Sequence, residues 1–421
     1  MSSQGRGMQS QDARVVRHGQ QKTRGAFGAV MRVLGIAVVV ALVSGASVAG
    51  IAVWGLASSV KPGIHLAHVK GGPKVDVTNI GAIEGGVNML LVGTDTRTGQ
   101  GGAYQTKEQL RASSGTGNND VTMLIHIAAD HNSVSVVSFP RDLIIPVPSC
   151  PRAAGGSYPA ESSAMLNSTL PRGDLPCVVL TIEKLTGLEI PFAAKITLDG
   201  VIAMSDAVGG VDVCVATPIN DLYVNPPLHL TAGEHTMVGA DALSFLRSRH
   251  GLVGGSDLAR ISNQQLFMSA LARKVTSAGV LSNPLELYSL ASAAVQNVTL
   301  SDTLTNPSAL VSIALALKSV GLSNIVFVQY PVVGDPANPA RVIPQQSTAA
   351  ALNAALVADR PLQLSGKTGG GTVLAPATTP TTATTGTPPP ASTPDQDSVV
   401  LPSNVSGQTA ADQTCSRGQG R

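Results

Sequence analysis

The segment VLGIAVVVALVSGASVAGIAVWGLASSV, Val33 to Val60, contains no charged residue and constrains the chain more than any other feature. A helix rises about 1.5 Å per residue, so about 20 apolar residues cross the hydrocarbon core of a bilayer. The run exceeds that length and predicts one transmembrane helix over residues 33–60. The rival reading is a cleaved signal peptide with SGASVAG as its processing site, but such peptides have an apolar core of about 7–15 residues. Arg6, Arg14, Arg17, Lys22, Arg24 and Arg32 precede the run against one acid, Asp12, a balance of +5 (6 − 1). Basic flanks stay on the cytoplasmic side. The expectation is therefore a single-pass protein of the cell membrane, with residues 1–32 cytoplasmic and the main domain extracellular. Trp54, near the outer end of the run, suits the membrane interface. The whole chain carries +2, which leaves −3 (2 − 5) for everything after residue 32.

Residues 61–86 read as a Gly- and Val-rich stalk, and folded sequence begins near Asn88. From there NMLLVG, VTMLIHI, VSVVSF, AAKITL, VDVCV and NIVFVQY are strand candidates. Helical patterns fall at Val178–Thr186, Leu198–Ala207, Ala240–Arg249, Asp257–Ser277, Pro284–Gln296, Pro307–Ser319 and Ser347–Ala358. Near-continuous apolar strands alternating with helices predict an α/β domain over residues 87–365, a three-layer α–β–α sandwich with a mixed central sheet. A hydrophobic content of 43% supplies a core for it. From residue 366 to 421 the Thr/Pro/Gly-rich composition predicts a disordered tail. An exported domain permits disulfides. Cys150 and Cys177 bracket a Pro/Gly/Ser-rich segment that a bridge would staple, whereas Cys214 in VDVCV also reads as a free buried thiol.

Scarce aromatics, 3% of the chain, and the absence of a basic face argue against a nucleic-acid partner. The candidate site is assembled from several segments. NMLLVGTDTR places Asp95 and Arg97 past the carboxyl end of a buried strand, where ligands bind in open α/β sheets. If the next strand runs antiparallel to it, Asp120 reaches the same sheet edge. Two carboxylates about 4 Å apart repel by about 4 kcal/mol at an effective dielectric of about 20. Such a pair calls for a shared proton or a cation, and Mg²⁺ with waters suits acids that face phosphate oxygens. In SFPRD, Pro140 stops the strand and fixes Arg141, whose fork matches phosphate. LSFLRSRHG offers Arg247 and Arg249, which converge if the helix ends there. SDLARISNQQ puts Asp257 at a helix start and Arg260 and Gln264 on one face. Each motif has a plainer reading: a Gly-Thr-Asp turn, an Arg141–Asp142 surface pair, solvated arginines. Together they supply the cations a pyrophosphate pocket needs. His126, inside an apolar strand, reads as a packed core residue, and no Walker loop or HExxH zinc motif is present.

NMLLVGTDTR, NNDVTMLIHI, VSVVSFPRD, DAVGGVDV, GADALSFLRSRH and DLARISNQQ, in this order behind an N-terminal anchor, resemble the LytR–CpsA–Psr family of bacterial envelope proteins. The resemblance covers roughly residues 85–275. It implies a phosphotransferase that moves a glycopolymer from a polyprenyl-pyrophosphate carrier onto peptidoglycan, with an apolar tunnel for the lipid. By motif, Asp95 and Asp120 correspond to Mg²⁺-associated acids. Asp95, Asp120 and Arg141 are the expected catalytic residues, and Arg97, Arg141, Arg247, Arg249, Arg260 and Gln264 the expected pyrophosphate contacts. Three positions depart from the family pattern: Asn118 where an arginine is common, Met165 where a lysine is, and Asn263 in place of the arginine before Gln264. These departures open an alternative, a protein of the same fold that binds polyprenyl phosphates or wall polymer without turnover.

Overall fold

The computed structural model describes residues 61–69, 83–99, 106–113, 115–276, 284–318, 320–376 and 398–420, all within one compact unit, Leu56–Arg421. The expected membrane segment and basic tail lie outside these residues. Among the described residues no helix is long and apolar enough to cross a membrane.

The chain opens with β1 (Val87–Thr94), β2 (Asn119–Ile127) and β3 (Val134–Phe139), then α1 (Thr169–Thr186), which is broken at Gly173 and Asp174. There follow β4 (Phe192–Ile196), α2 (Leu198–Ala207), β5 (Val211–Thr217), β6 (Ile219–Asp221), β7 (Leu228–Leu230) and β8 (Gly233–Met237). Next come α3 (Gly239–Arg247), α4 (Asp257–Thr276), α5 (Pro284–Asn297), β9 (Val298–Leu300), α6 (Pro307–Leu317), β10 (Ile325–Gln329) and α7 (Gln346–Val357). The last strands are β11 (Thr372–Leu374), β12 (Gly407–Thr409) and β13 (Thr414–Arg417).

The fold is α/β with a mixed central sheet, strand order β9-β4-β1-β2-β3-β10-β12. β1 is parallel to β4 and antiparallel to β2, and β3 is parallel to β10. Successive side chains of a strand point to opposite faces. Leu90, Val92, Leu124, Val137 and Phe139 accordingly pack against α1 and α7. Val87, Met123, Ile127, Val134 and Val136 pack on the other face with α6. Both faces are covered, which is why the central strands are apolar at nearly every position. A third cluster joins α3 and α4 to a second sheet of order β8-β5-β13-β11.

Two expectations are corrected. The stalk is not a free spacer where it is described. Ile64 N donates to Leu300 O (2.9 Å) and Ile64 O accepts from Asp302 N (3.0 Å). Gly63 lies so close that an added Cβ would stand 2.4 Å from Asp302 Cα. His68 Nδ1 (2.8 Å) and Val69 N (2.9 Å) then bond the buried carboxylate of Glu183. The tail is also not disordered throughout: β12 adds the last strand to the central sheet, and β13 pairs with β5. Composition averaged over residues 366–421 hides this, because GQT and TCSR carry little apolar signal and are held by backbone pairing and covalent bonds. The Thr/Pro-rich residues 377–397 lie outside the described set.

Disulfides join Cys150 to Cys177 (S–S 2.01 Å) and Cys214 to Cys415 (S–S 1.98 Å), so Cys214 is not a free thiol. Cys214 and Cys415 face each other across the β5–β13 ladder, which the periodicity of VDVCV alone does not reveal. His126 is buried, with Nδ1 2.8 Å from Asn88 Oδ1.

Replacing Cys214 and Cys415 together by alanine is expected to lower unfolding stability by about 2–5 kcal/mol. In denaturant titrations of the full chain, reductant should destabilise the parent more than the variant. Burial lowers the pKa of His126, and the Asp359 carboxylate only partly opposes it. The unfolded chain therefore binds this proton more readily. Stability should be at its plateau above about pH 6.5 and fall as pH drops through the lowered folded value. His126→Leu should flatten that acid limb in pH-resolved melting curves.

Candidate functional site

The antiparallel pairing of β1 with β2 sets Thr94 opposite Asn119, with a register shift at Gly93/Thr94. Asp95 and Asp120 thus emerge at one end of the sheet. Asp95 is held by its neighbours: Oδ1 accepts from Ser113 Oγ (2.7 Å) and Asn118 N (2.6 Å), and Oδ2 from Asn118 Nδ2 (3.0 Å). The turn that brings Asn118 there needs Gly117, at φ +70°, where a Cβ would lie 2.4 Å from Thr96 N.

Asp120 is tied to the cations. Its Oδ1 accepts from Arg141 Nη1 (2.7 Å), and its backbone carbonyl from Arg260 Nη2 (2.8 Å). Asp257, at the start of α4, completes the network. Its Oδ2 accepts from Arg141 N (3.2 Å), and its Oδ1 lies 2.6 Å from Arg260 Nη2 and 3.8 Å from Arg141 Nε. The result is an alternating series Asp120–Arg141–Asp257–Arg260. Asp142 is no simple surface partner of Arg141, for its closer contact is Arg341 Nη1 at 2.6 Å. Burial opposes the charge on Arg141, but Asp120, Asp257 and Asp142 outweigh it and raise its pKa.

Arg249 is in the opposite condition. Burial, then the charges of Arg141 and Arg260, lower its pKa, and Asp257 and Asp120 compensate only in part. Among the described residues no carboxylate lies within ion-pair distance of Arg247 or Arg249. A cation of this kind gains most from an incoming anion. Helix α3 ends at Arg247, and Ser248 is extended with ψ 133°. The turn beyond is fixed by Asp221, which sequence reasoning missed. Its buried Oδ2 accepts from Ser248 Oγ (2.7 Å), Arg249 N (3.0 Å) and Gly251 N (3.1 Å). These bonds and a fourth from Tyr223 N hold the Asp221 pKa down despite burial. The only sequence signal was an Asp closing a short strand before a turn.

Beneath these charges, between the sheet and helices α2 to α5, lies a cavity of about 390 Å³. Its walls are apolar, with Leu91, Met123, Val201, Leu246, Phe267 and Leu290 from six different elements. The charged residues lining it are Asp95, Asp120, Arg247 and Arg260. Gln264 also lines it and donates Nε2 to Leu246 O (3.0 Å). Arg97 does not line it; its backbone N donates to Ser113 O beside Asp95 (3.2 Å).

The three departures from the family pattern fall in different places. Asn118 grips Asp95. Asn263 is fully buried and faces away from the cavity, donating to Phe245 O (2.9 Å) and accepting from Ser416 Oγ (2.5 Å). Met165 ends the strand Glu161–Met165, opposite Ile144.

Among the described residues no group of three His, Cys, Asp or Glu side chains is placed to hold a metal. Asp95 and Asp120 are nonetheless hard oxygen donors facing one cavity. That set fits Mg²⁺, which typically takes one or two carboxylates and fills its shell with water and phosphate oxygens.

The LytR_cpsA_psr family model matches residues 62–356, more than half of the chain. The chain is 33% identical over 231 residues to the cell wall biosynthesis protein LcpA of Corynebacterium glutamicum, covering 50% of this chain and 44% of LcpA. It is 28% identical over 189 residues to the polyisoprenyl-teichoic acid–peptidoglycan teichoic acid transferase TagU of Bacillus cereus, covering 45% of this chain and 52% of TagU. The chain therefore spans about half the length of these two relatives. The crystal structure of protein gbs0355 from Streptococcus agalactiae shares the fold, with a TM-score of 0.51 and 19% identity over 65% of this chain and 88% of that one.

Asp257→Ala leaves Arg260 buried with its nearest carboxylate removed. Breaking a buried pair in this way costs about 3–5 kcal/mol. Chemical denaturation should show that loss, whereas Arg247→Ala, which breaks no ion pair among the described residues, should change stability by less than about 1 kcal/mol.

Proposed function

The chain belongs to the LytR–CpsA–Psr family, and from that premise we propose that it transfers a glycopolymer phosphate from a polyprenyl-pyrophosphate carrier to peptidoglycan outside the cell membrane. One observation carries the reading: an apolar cavity of about 390 Å³ whose charged lining residues are two acids and two arginines. Apolar walls suit a segment of hydrocarbon tail, and the charged rim suits a pyrophosphate. The expected anchor supports the lipid assignment. Ile64 is four residues past Val60 (64 − 60) and is bonded to Leu300 and Asp302.

In this reading Arg247, Arg249 and Arg260 bind and orient the pyrophosphate. Arg141, braced by Asp120 and Asp257, neutralises charge that accumulates as the lipid phosphate departs. Phosphoryl transfer depends mostly on such positioning and charge neutralisation. The acceptor hydroxyl oxygen forms a bond to the sugar-linked phosphorus, the bond from that phosphorus to the bridging oxygen breaks, and polyprenyl phosphate leaves. The hydroxyl proton passes to a carboxylate, Asp95 or Asp120. Mg²⁺, held by Asp95 and Asp120, would supply Lewis-acid neutralisation of the phosphate oxygens. The departures at Asn118 and Asn263 do not speak against turnover: one residue supports Asp95, and the other faces the core.

The test is release of polyprenyl phosphate when the full-length chain meets a lipid-linked donor, an acceptor glycan and Mg²⁺. Arg141→Ala and Arg249→Ala should each slow release about 100-fold or more. Chelation should stop release and added Mg²⁺ restore it. A parent protein that retains lipid through purification but never releases phosphate would establish a binder instead.

A further inference from the structure

The cavity and its rim account for a lipid tail and a pyrophosphate, but the sugar joined to that phosphate has no described partner. One exposed surface stands out. Leu222 and Tyr223 are 70% and 81% exposed, the two most exposed large hydrophobic side chains among the described residues. In a chain with only 3% aromatic residues, a ring held in solvent is unusual. It is also held firmly. Tyr223 N donates to Asp221 Oδ1 (3.0 Å), and the β6–β7 hairpin pairs Asn220 with His229 just behind it. The Tyr223 ring lies against the His250 ring, centroids 4.4 Å apart and planes inclined by 44°.

This pair is linked to Arg249 through the chain and through Asp221. His250 follows Arg249, whose charge interacts with those of Arg141 and Arg260. Asp221 holds Tyr223 through one carboxylate oxygen, and Ser248, Arg249 and Gly251 through the other. One buried carboxylate therefore ties the backbone of Tyr223 to that of Arg249, which has no carboxylate partner among the described residues. We propose that Leu222, Tyr223 and His250 form a stacking ledge for a pyranose ring of the reacting carbohydrate, placed beside the phosphate-binding arginines. The chemistry matches: a pyranose has an apolar C–H face and a hydroxyl rim, Tyr223 has an apolar ring with a polar tip, and the His250 nitrogens donate or accept hydrogen bonds. The ledge rests on the transferase reading of the adjoining cavity. Its sugar belongs either to the donor, next to the pyrophosphate, or to the acceptor glycan.

Two measurements on the full-length protein in detergent test it. The first is saturation-transfer NMR with two probes, a peptidoglycan disaccharide and a hexose 1-phosphate, and needs no turnover. The second is steady-state release of polyprenyl phosphate with donor and acceptor varied separately. Tyr223→Ala should abolish saturation transfer to one probe and raise one KM about tenfold at unchanged kcat, while Tyr223→Phe stays within about twofold of the parent. A change confined to the acceptor KM and the disaccharide assigns the ledge to the acceptor. A change confined to the donor KM and the hexose 1-phosphate assigns it to the donor. A loss of kcat that Tyr223→Phe does not rescue would reduce the tyrosine to a structural role and overturn the proposal. So would an active parent whose KM values and NMR signals are unmoved by Tyr223→Ala. If the parent releases no lipid phosphate yet a probe signal is present and vanishes in Tyr223→Ala, the transferase reading fails and the ledge stands.

Discussion

Buried guanidinium groups must be answered by carboxylates, and much of the charged rim follows from that requirement. Arg141 and Arg260 are held between Asp120 and Asp257, which come from a strand start and a helix start far apart in sequence. Taking charges out of water costs several kcal/mol each unless pairing and hydrogen bonding offset it. The series therefore survives only if β2, the turn after β3 and the first turn of α4 meet at one point. Once they meet, ion pairs hold Arg141 and Arg260 in fixed positions. Among the described residues Arg247 and Arg249 have no such carboxylate partners.

The cavity below depends on the same meeting. Helices α3 and α4 carry both rim cations and wall residues, Arg247 with Leu246 and Arg260 with Phe267. A shift of α4 that pulled Arg260 from the Asp120 carbonyl would also move the wall. Polar and apolar recognition are thus built on shared rigid elements, which suits an amphiphilic ligand.

The central strands were legible because burial on both faces leaves an unbroken apolar run, and the antiparallel expectation for β1 and β2 brought Asp95 and Asp120 to one sheet edge. Arg247 and Arg249 could be grouped because HGLVGG announces the helix end. Other features were not legible. Asp221 acts on the backbone N–H groups of Arg249 and Gly251, and no local spacing advertises such a contact. The direction in which Asn263 points depends on its rotation about α4 and on a strand from the far end of the chain. The C-terminal strands escaped notice because β12 and β13 are polar in composition and owe their place to pairing with β10 and β5.

The return of the C-terminus has a topological consequence. Ala375 N donates to Gln413 O, β11 pairs with β13, and Cys415 is bonded to Cys214. The Thr/Pro-rich residues 377–397 are therefore tethered at both ends to one folded body. A protease that cuts there would produce two polypeptides but no separated fragment, since ladder and sulfur bridge keep the pieces together. An insertion between those two attachment points would leave the edge of the central sheet occupied by β12.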